Sequence, residues 1–380
     1  MKVILGFMPL LDCASLVVAA EREFAAQEDL ELALVRETSW ANIRDRVVVG
    51  HFDAAHMLGP MTVASTLGIG HVKVPVIAPF ALGLGGNAIT VSVRLWEQMT
   101  NEGSCAVSSP AAHGAALKHV LARRREPLTF AMVYPFSCHN YELRYWLAAA
   151  GIDPDRDVRL VVMPPPFLVD ALRAGQIDGF CVGEPWNSVA VHAGVGAILL
   201  PTTAIWPFSP EKVLGCRLEW AQRHPKQLAS LQRALYRASQ WCERPENHAE
   251  LATLLAQPRY VGAPAELLRR ALQGQLALTT NSAPAQLENF YIPARHTATF
   301  PWVSHALWFY AQMLRWKQIE FSASHLAAVR CTYRPDLYRA ALTGISPDIP
   351  ADDSKIERFF DGQTFDPDAL AVVRGEPGKA

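Results

Sequence analysis

Short apolar runs alternate with amphipathic stretches from the first residues onward, and this alternation constrains the fold more than any other feature. Met1-Lys2-Val3-Ile4-Leu5-Gly6-Phe7 reads as a core strand, followed by a helical stretch over 14–27 and a strand-like run over 30–36. A helix is expected over 41–48, and the apolar run from Ala54 to Leu67 continues the pattern. Farther on, 128–133, 158–162 and 179–182 read as strands, with helices over 140–150 and 167–174. Strands separated by helices form βαβ units, so an α/β class with mostly parallel sheets is expected. After about Glu211 the pattern turns helical, with helices expected over 217–224, 225–243, 247–256, 264–278 and 302–316.

At 380 residues the chain exceeds one ordinary domain, yet no low-complexity linker divides it. That combination implies lobes joined by more than one segment, with crossings near 82–91 and 199–205. One discontinuous lobe is expected over 1–85 plus 200–345 and a second over 86–199. The C-terminal extension, 346–380, is rich in Pro, Asp and Gly and is expected on the surface or partly disordered.

Half of the residues are hydrophobic and 19% are charged, which supplies a sizeable core and excludes a disordered chain. The 35 basic and 36 acidic residues nearly cancel, which removes the footprint of a direct nucleic-acid binder. No apolar run reaches the roughly 18 residues that span a bilayer, so no membrane partner is expected. The opening strand begins at once, leaving no basic region or cleavage site ahead of it. Seven cysteines, odd in number and without a C-x-x-C pair, suit reduced thiols. A cytoplasmic location is expected on both grounds.

Gly83-Leu84-Gly85-Gly86-Asn87-Ala88 has the spacing of a dinucleotide fingerprint, but Ile89-Thr90-Val91-Ser92-Val93 follows it. That fingerprint needs a helix there, whose N-terminus holds the pyrophosphate. A glycine turn offering backbone N–H groups to a small ligand, with Gly86 and Asn87 as contacts, fits better. Twelve histidines occur without H-E-x-x-H or finger spacing, and no G-x-S-x-G elbow is present. Neither a metal, a cofactor nor an enzymatic activity is expected.

Four other places stand at strand-to-helix junctions or lobe crossings. They are Ser39-Trp40, with Ser39 a candidate N-cap, then Ser137-Cys138-His139-Asn140, Gly183-Glu184-Pro185-Trp186 and Pro210-Glu211-Lys212. Each alone fits an ordinary structural turn. Together they occupy the carboxyl ends of strands and the starts of helices, where open α/β sheets bind ligands and free N–H groups favour anions. A small-anion pocket between the lobes is expected.

The segments Ser39-Trp40-Ala41-Asn42-Ile43-Arg44-Asp45, Asp53-Ala54-Ala55-His56-Met57-Leu58-Gly59-Pro60-Met61 and Phe180-Cys181-Val182-Gly183-Glu184-Pro185-Trp186-Asn187 resemble the nitrate/bicarbonate-binding proteins of bacterial uptake systems. So do Leu143-Arg144-Tyr145-Trp146, His224-Pro225-Lys226 and Ser304-His305-Ala306-Leu307-Trp308-Phe309. The resemblance runs from residue 1 to about 340. It implies a two-lobed periplasmic-binding-protein type II fold with hinge closure around the ligand. It also implies an anion held by Trp40, Asn87, His139, Gly183 and Lys212, although the family's nitrate binders usually carry Gln where Asn87 stands.

Lys212 carries the ligand expectation. Bicarbonate-binding relatives place an acidic group there, whereas nitrate and nitrite only accept hydrogen bonds and suit an all-donor pocket. Lys212 is expected in a solvent-lined cleft, tolerant of exchange to Glu. His139 is expected to donate to the anion and to bind it more tightly as pH falls through about 6.5. Among relatives, the nearest likeness is to cytoplasmic nitrate/nitrite sensors that hold an ANTAR-type RNA-binding antiterminator and release it on anion binding. The alternative is the solute-binding component of an ABC-type nitrate/nitrite importer.

Overall fold

The computed structural model describes residues 1–70, 72–105 and 108–371. Ten strands form two five-stranded sheets. The first runs Glu31–Arg36, Lys2–Phe7, Ala54–Leu58, Lys212–Arg217, Val76–Ala81 in spatial order. The second runs Gly196–Pro201, Asn87–Ser92, Gly179–Gly183, Leu128–Met132, Val158–Val162. The chain thus leaves the first sheet after Ala81, enters the second at Asn87, and returns between Pro201 and Lys212.

The sheets are mixed, where mostly parallel ones were expected. Lys2–Phe7 and Leu128–Met132 run parallel to both of their neighbours, as βαβ units require. Lys212–Arg217 and Asn87–Ser92 run antiparallel to both of theirs. Each of these two strands arrives from the opposite sheet rather than through a crossover helix of its own, which frees it from the parallel direction.

The strand Lys212–Arg217 also corrects the expectation that the chain is helical beyond Glu211. It lies inside the first sheet with five of its six residues buried, yet it opens on a lysine and contains Gly215. Such a sequence carries no two-residue alternation, because both faces are covered. The strand Val76–Ala81 and the helices Val93–Asn101 and Pro110–Ala122 likewise lie where the sequence pattern indicated no element.

Helix Pro225–Glu243 shows why the later segments fold as they do. Leu228, Leu231, Leu235, Ala238 and Cys242 recur at steps of three and four residues and are all buried. Each fully buried leucine contributes about 1.5–3 kcal/mol. The glycine turn between the sheets is set by sterics: Gly85 has φ +70°, and a β-carbon there would overlap the Phe290 carbonyl.

Of the C-terminal extension expected over 346–380, residues 372–380 lie outside the described residues, and the stretch up to 371 is anchored to the rest of the chain. Glu357 accepts from Trp206 Nε1 at 3.1 Å, and the Tyr145 hydroxyl donates to Asp361 at 3.0 Å. The Phe359 ring lies 4.8 Å from that of Tyr145 and 5.2 Å from that of Trp206. Tyr145 belongs to helix Cys138–Ala149, and Trp206 to the segment returning from the second sheet, so this strap crosses the junction between the lobes.

Candidate functional site

Strand ends and helix starts of both sheets deliver the site. From the first sheet, the turn Leu11–Cys13 carries Asp12, and Trp40 is the first residue of helix Trp40–Val48. Ser39 caps that helix, its hydroxyl accepting from Ala41 N at 3.2 Å. His56 lies within Ala54–Leu58, and Lys212 starts its strand. From the second sheet, Asn87 and Gly183 are register partners at the ends of adjacent strands. His139 is the second residue of helix Cys138–Ala149, whose cap Ser137 accepts from Asn140 N at 3.1 Å.

These side chains form one contact chain. Lys212 Nζ lies 2.9 Å from Asp12 Oδ2, pairs with the Glu211 carboxylate, and stands 5.5 Å from the centre of the Trp40 ring. The other Asp12 oxygen is 3.0 Å from His56 Nε2. Because His56 Nδ1 accepts from Met8 N at 3.4 Å, the His56 proton sits on Nε2, the nitrogen nearer Asp12. His139 Nε2 lies 3.1 Å from Asn87 Oδ1 and 3.3 Å from Glu211 Oε1. Both are acceptors, so Nε2 carries the His139 proton. A β-carbon at Gly183 would come within 3.1 Å of Asn87 Oδ1 and 3.7 Å of Asp12 Oδ2, so this glycine leaves room inside the cluster.

Trp40, Asn87, His139, Gly183 and Lys212 are therefore brought together. Gly86 is adjacent but contributes nothing to a ligand through its N–H, which donates to Phe290 O at 2.6 Å, while Gly85 N donates to Ser209 O at 2.9 Å. The amides of Gly85 and Gly86 are thus spent on backbone carbonyls, contrary to the expectation that the turn offers them to a ligand. Asp12, His56 and Glu211 were not among the expected contacts. The strand-end argument that found Trp40 applies equally to Asp12, five residues beyond Phe7. Glu211 stood beside Lys212 in the quoted motif.

Lys212 does not line open solvent: it is 1% exposed, and Asn87, His56 and His139 are fully buried. Burial alone would lower the Lys212 ammonium, but Asp12 and Glu211 outweigh it and hold the group above its ordinary value. Burial likewise pushes Asp12 up, and Lys212 with His56 overrides it and keeps this carboxyl ionised well below its usual range. For Glu211 burial wins, and its carboxyl sits above the ordinary value despite Lys212. Burial, reinforced by Lys212, holds His139 well below its ordinary value. The expected protonation of His139 near pH 6.5 is thus corrected: this imidazole is neutral at working pH.

Within the cluster, Trp40 Nε1 and Asn87 Nδ2 are buried donors with neither a hydrogen-bond nor an ion-pair partner; elsewhere among the described residues Trp220 Nε1, Trp316 Nε1 and Arg144 Nη1 are also unpaired. An unpaired buried donor costs about 1–3 kcal/mol and is rare enough to need a reason. The Asn87 amide is turned so that its oxygen meets His139, which leaves its –NH2 free. Two unpaired N–H donors in one cluster with an ammonium suit a small oxyanion.

The chain is similar to known proteins along nearly its whole length. Residues 1–256 match the NMT1-like family. The chain is 35% identical to the nitrate/nitrite binding protein NrtA of Synechococcus elongatus, over 96% of its own length and 84% of the relative's. It is 37% identical over 97% of its length to the nitrate import ATP-binding protein NrtC of Synechocystis, and it spans about half, 54%, of that protein. The crystal structure of the periplasmic nitrate-binding protein NrtA from Synechocystis PCC 6803 matches with a TM-score of 0.90 at 30% identity, covering 98% of this chain and 97% of that one. The architecture is the two-lobed periplasmic-binding-protein type II fold.

Proposed function

Because the chain belongs to the NMT1-like family, alongside nitrate/nitrite-binding proteins, we propose that its interlobe cluster binds nitrate or nitrite. One observation carries this reading: Trp40 Nε1 and Asn87 Nδ2 are buried, unpaired donors in the cluster that holds the Lys212 ammonium. Nitrate and nitrite are pure acceptors and satisfy all three. Every contact residue is buried, so the anion enters only when the halves part and is enclosed when they close. The family is one of solute-binding proteins, and the cluster is used here for binding rather than catalysis.

The finer reading is a cytoplasmic sensor of the NasS type. In that role the anion-free protein holds an ANTAR-type antiterminator (NasT-like), and nitrate or nitrite releases it. Cys13, Cys138, Cys181, Cys216 and Cys242 are buried thiols, which suits a reducing compartment. The near-neutral charge suits a protein that leaves RNA contact to its partner. A second reading, the solute-binding component of an ABC-type importer, is favoured by the likeness to NrtC.

Release works only if partner and anion prefer different lobe arrangements, since a ligand with equal affinity for both shifts nothing. Millimolar nitrate is expected to weaken the antiterminator complex by about 5- to 150-fold, the usual range of such coupling. Size-exclusion chromatography of the mixed proteins, with and without nitrate, reads this directly. A protein that binds nitrate but never the antiterminator, or holds it equally in both conditions, belongs to the importer reading.

A further inference from the structure

The cluster around Lys212 holds more negative than positive charge before any anion arrives. Lys212 faces two carboxylates, Asp12 at 2.9 Å and Glu211 in direct contact. The remaining titratable groups packed around Glu211 are neutral. From helix Cys138–Ala149, burial holds the Cys138 thiol and the Glu142 carboxyl in their protonated forms and His139 in its unprotonated form. Burial also keeps Cys181, on the adjacent strand, and Tyr333 protonated. One ammonium against two carboxylates leaves one surplus negative charge where the anion must sit, out of water, and burying an uncompensated charge is strongly unfavourable.

Glu211 Oε2 is buried and has no hydrogen-bond partner, while Oε1 meets Lys212 and lies 3.3 Å from His139 Nε2. We infer that nitrate or nitrite binds together with one proton from solvent, and that Glu211 accepts it at its unpaired oxygen. This rests on the anion-binding reading and deepens it. Protonation turns a repelling carboxylate into a neutral O–H donor, brings the charge of the Lys212–Asp12–Glu211 group to zero, and frees Lys212 to face the anion. Asp12 is not the acceptor, because Lys212 and His56 both hold its charge in place. Glu211 is then a specificity-determining residue: as a carboxylate it refuses acceptor-only anions, and as an acid it donates to them.

The sign follows from linkage. Burial places the Glu211 carboxyl above its ordinary value in the free protein, and a bound anion raises it further. Between those two values each nitrate takes up one proton, so affinity falls about tenfold per unit rise in pH. Below the lower value affinity levels off at its maximum.

The test is calorimetric titration of sodium nitrate into the full chain from pH 5.5 to 8.5, in two buffers of unlike ionisation enthalpy. The expected results are falling affinity with rising pH, uptake approaching one proton per nitrate, and loss of both in Glu211→Gln with binding retained. The control is Glu184→Gln, since the buried Glu184 carboxyl sits at about 7 but is turned toward Ser188 N, 3.3 Å away. Nitrate binding with no proton uptake in wild type overturns the inference while leaving the anion site standing. Loss of uptake in Glu184→Gln but not Glu211→Gln overturns the assignment to Glu211. No binding of nitrate or nitrite at any pH overturns the anion site and the proton linkage together.

Discussion

Lys212→Glu is expected to abolish nitrate binding and to cost the protein much of its stability. Lys212 is the one ammonium between Asp12 and Glu211 and is 1% exposed. Removing one member of a buried pair costs about 3–5 kcal/mol, against a total stability of about 5–15 kcal/mol for an ordinary domain. The glutamate variant goes further, placing a third carboxyl against the first two. Urea denaturation is expected to show a large fall in midpoint, or a chain that is not recovered folded. Lys212→Met separates the two effects, because it removes the charge without adding another. It is expected to fold with a lowered midpoint and still to bind no measurable nitrate. A midpoint unchanged in both variants would mean that Lys212 is solvated after all.

Trp40→Phe should weaken nitrate about ten- to a hundredfold, the loss of a hydrogen bond of about 1.5–3 kcal/mol to a charged group. The phenyl ring keeps an aromatic face near Lys212, which lies 5.5 Å from the Trp40 ring, and removes only the indole donor and some volume. Since Trp40 Nε1 has no partner in the protein, its removal does not break an internal hydrogen bond. Affinity should therefore fall far more than the denaturation midpoint moves. A donor that merely supported the fold would give the opposite ratio. In the sensor reading the same variant keeps its outer surface and holds the antiterminator at nitrate concentrations that release it from the wild type.

Much of this architecture is written locally. Lys2–Phe7, Glu31–Arg36 and Val158–Val162 were legible as short apolar runs between helical stretches, and Pro225–Glu243 because its apolar positions recur at helical spacing. Lys212–Arg217 was not, because its apolar run is short and bounded by charged residues, and its lysine is paired in the core with Asp12, 200 residues away in sequence, as well as with the adjacent Glu211. The expected site residues stood at strand ends and helix starts, where chain geometry converges without help from side-chain patterns. Charge state was beyond that reasoning. Whether His139 is neutral, whether Lys212 is spoken for, and whether Gly86 still has an N–H to give depend respectively on burial beside Lys212, on Asp12 and on Phe290, which only folding brings near.

The account rests on an anion meeting donors that the protein leaves unpaired, and a crystal structure of the nitrate complex tests it most directly. The oxygens of nitrate are expected within about 2.7–3.2 Å of Trp40 Nε1 and Asn87 Nδ2, with Lys212 Nζ in reach of the same ion. Nitrate bound elsewhere, with those two nitrogens still without partners, would contradict it.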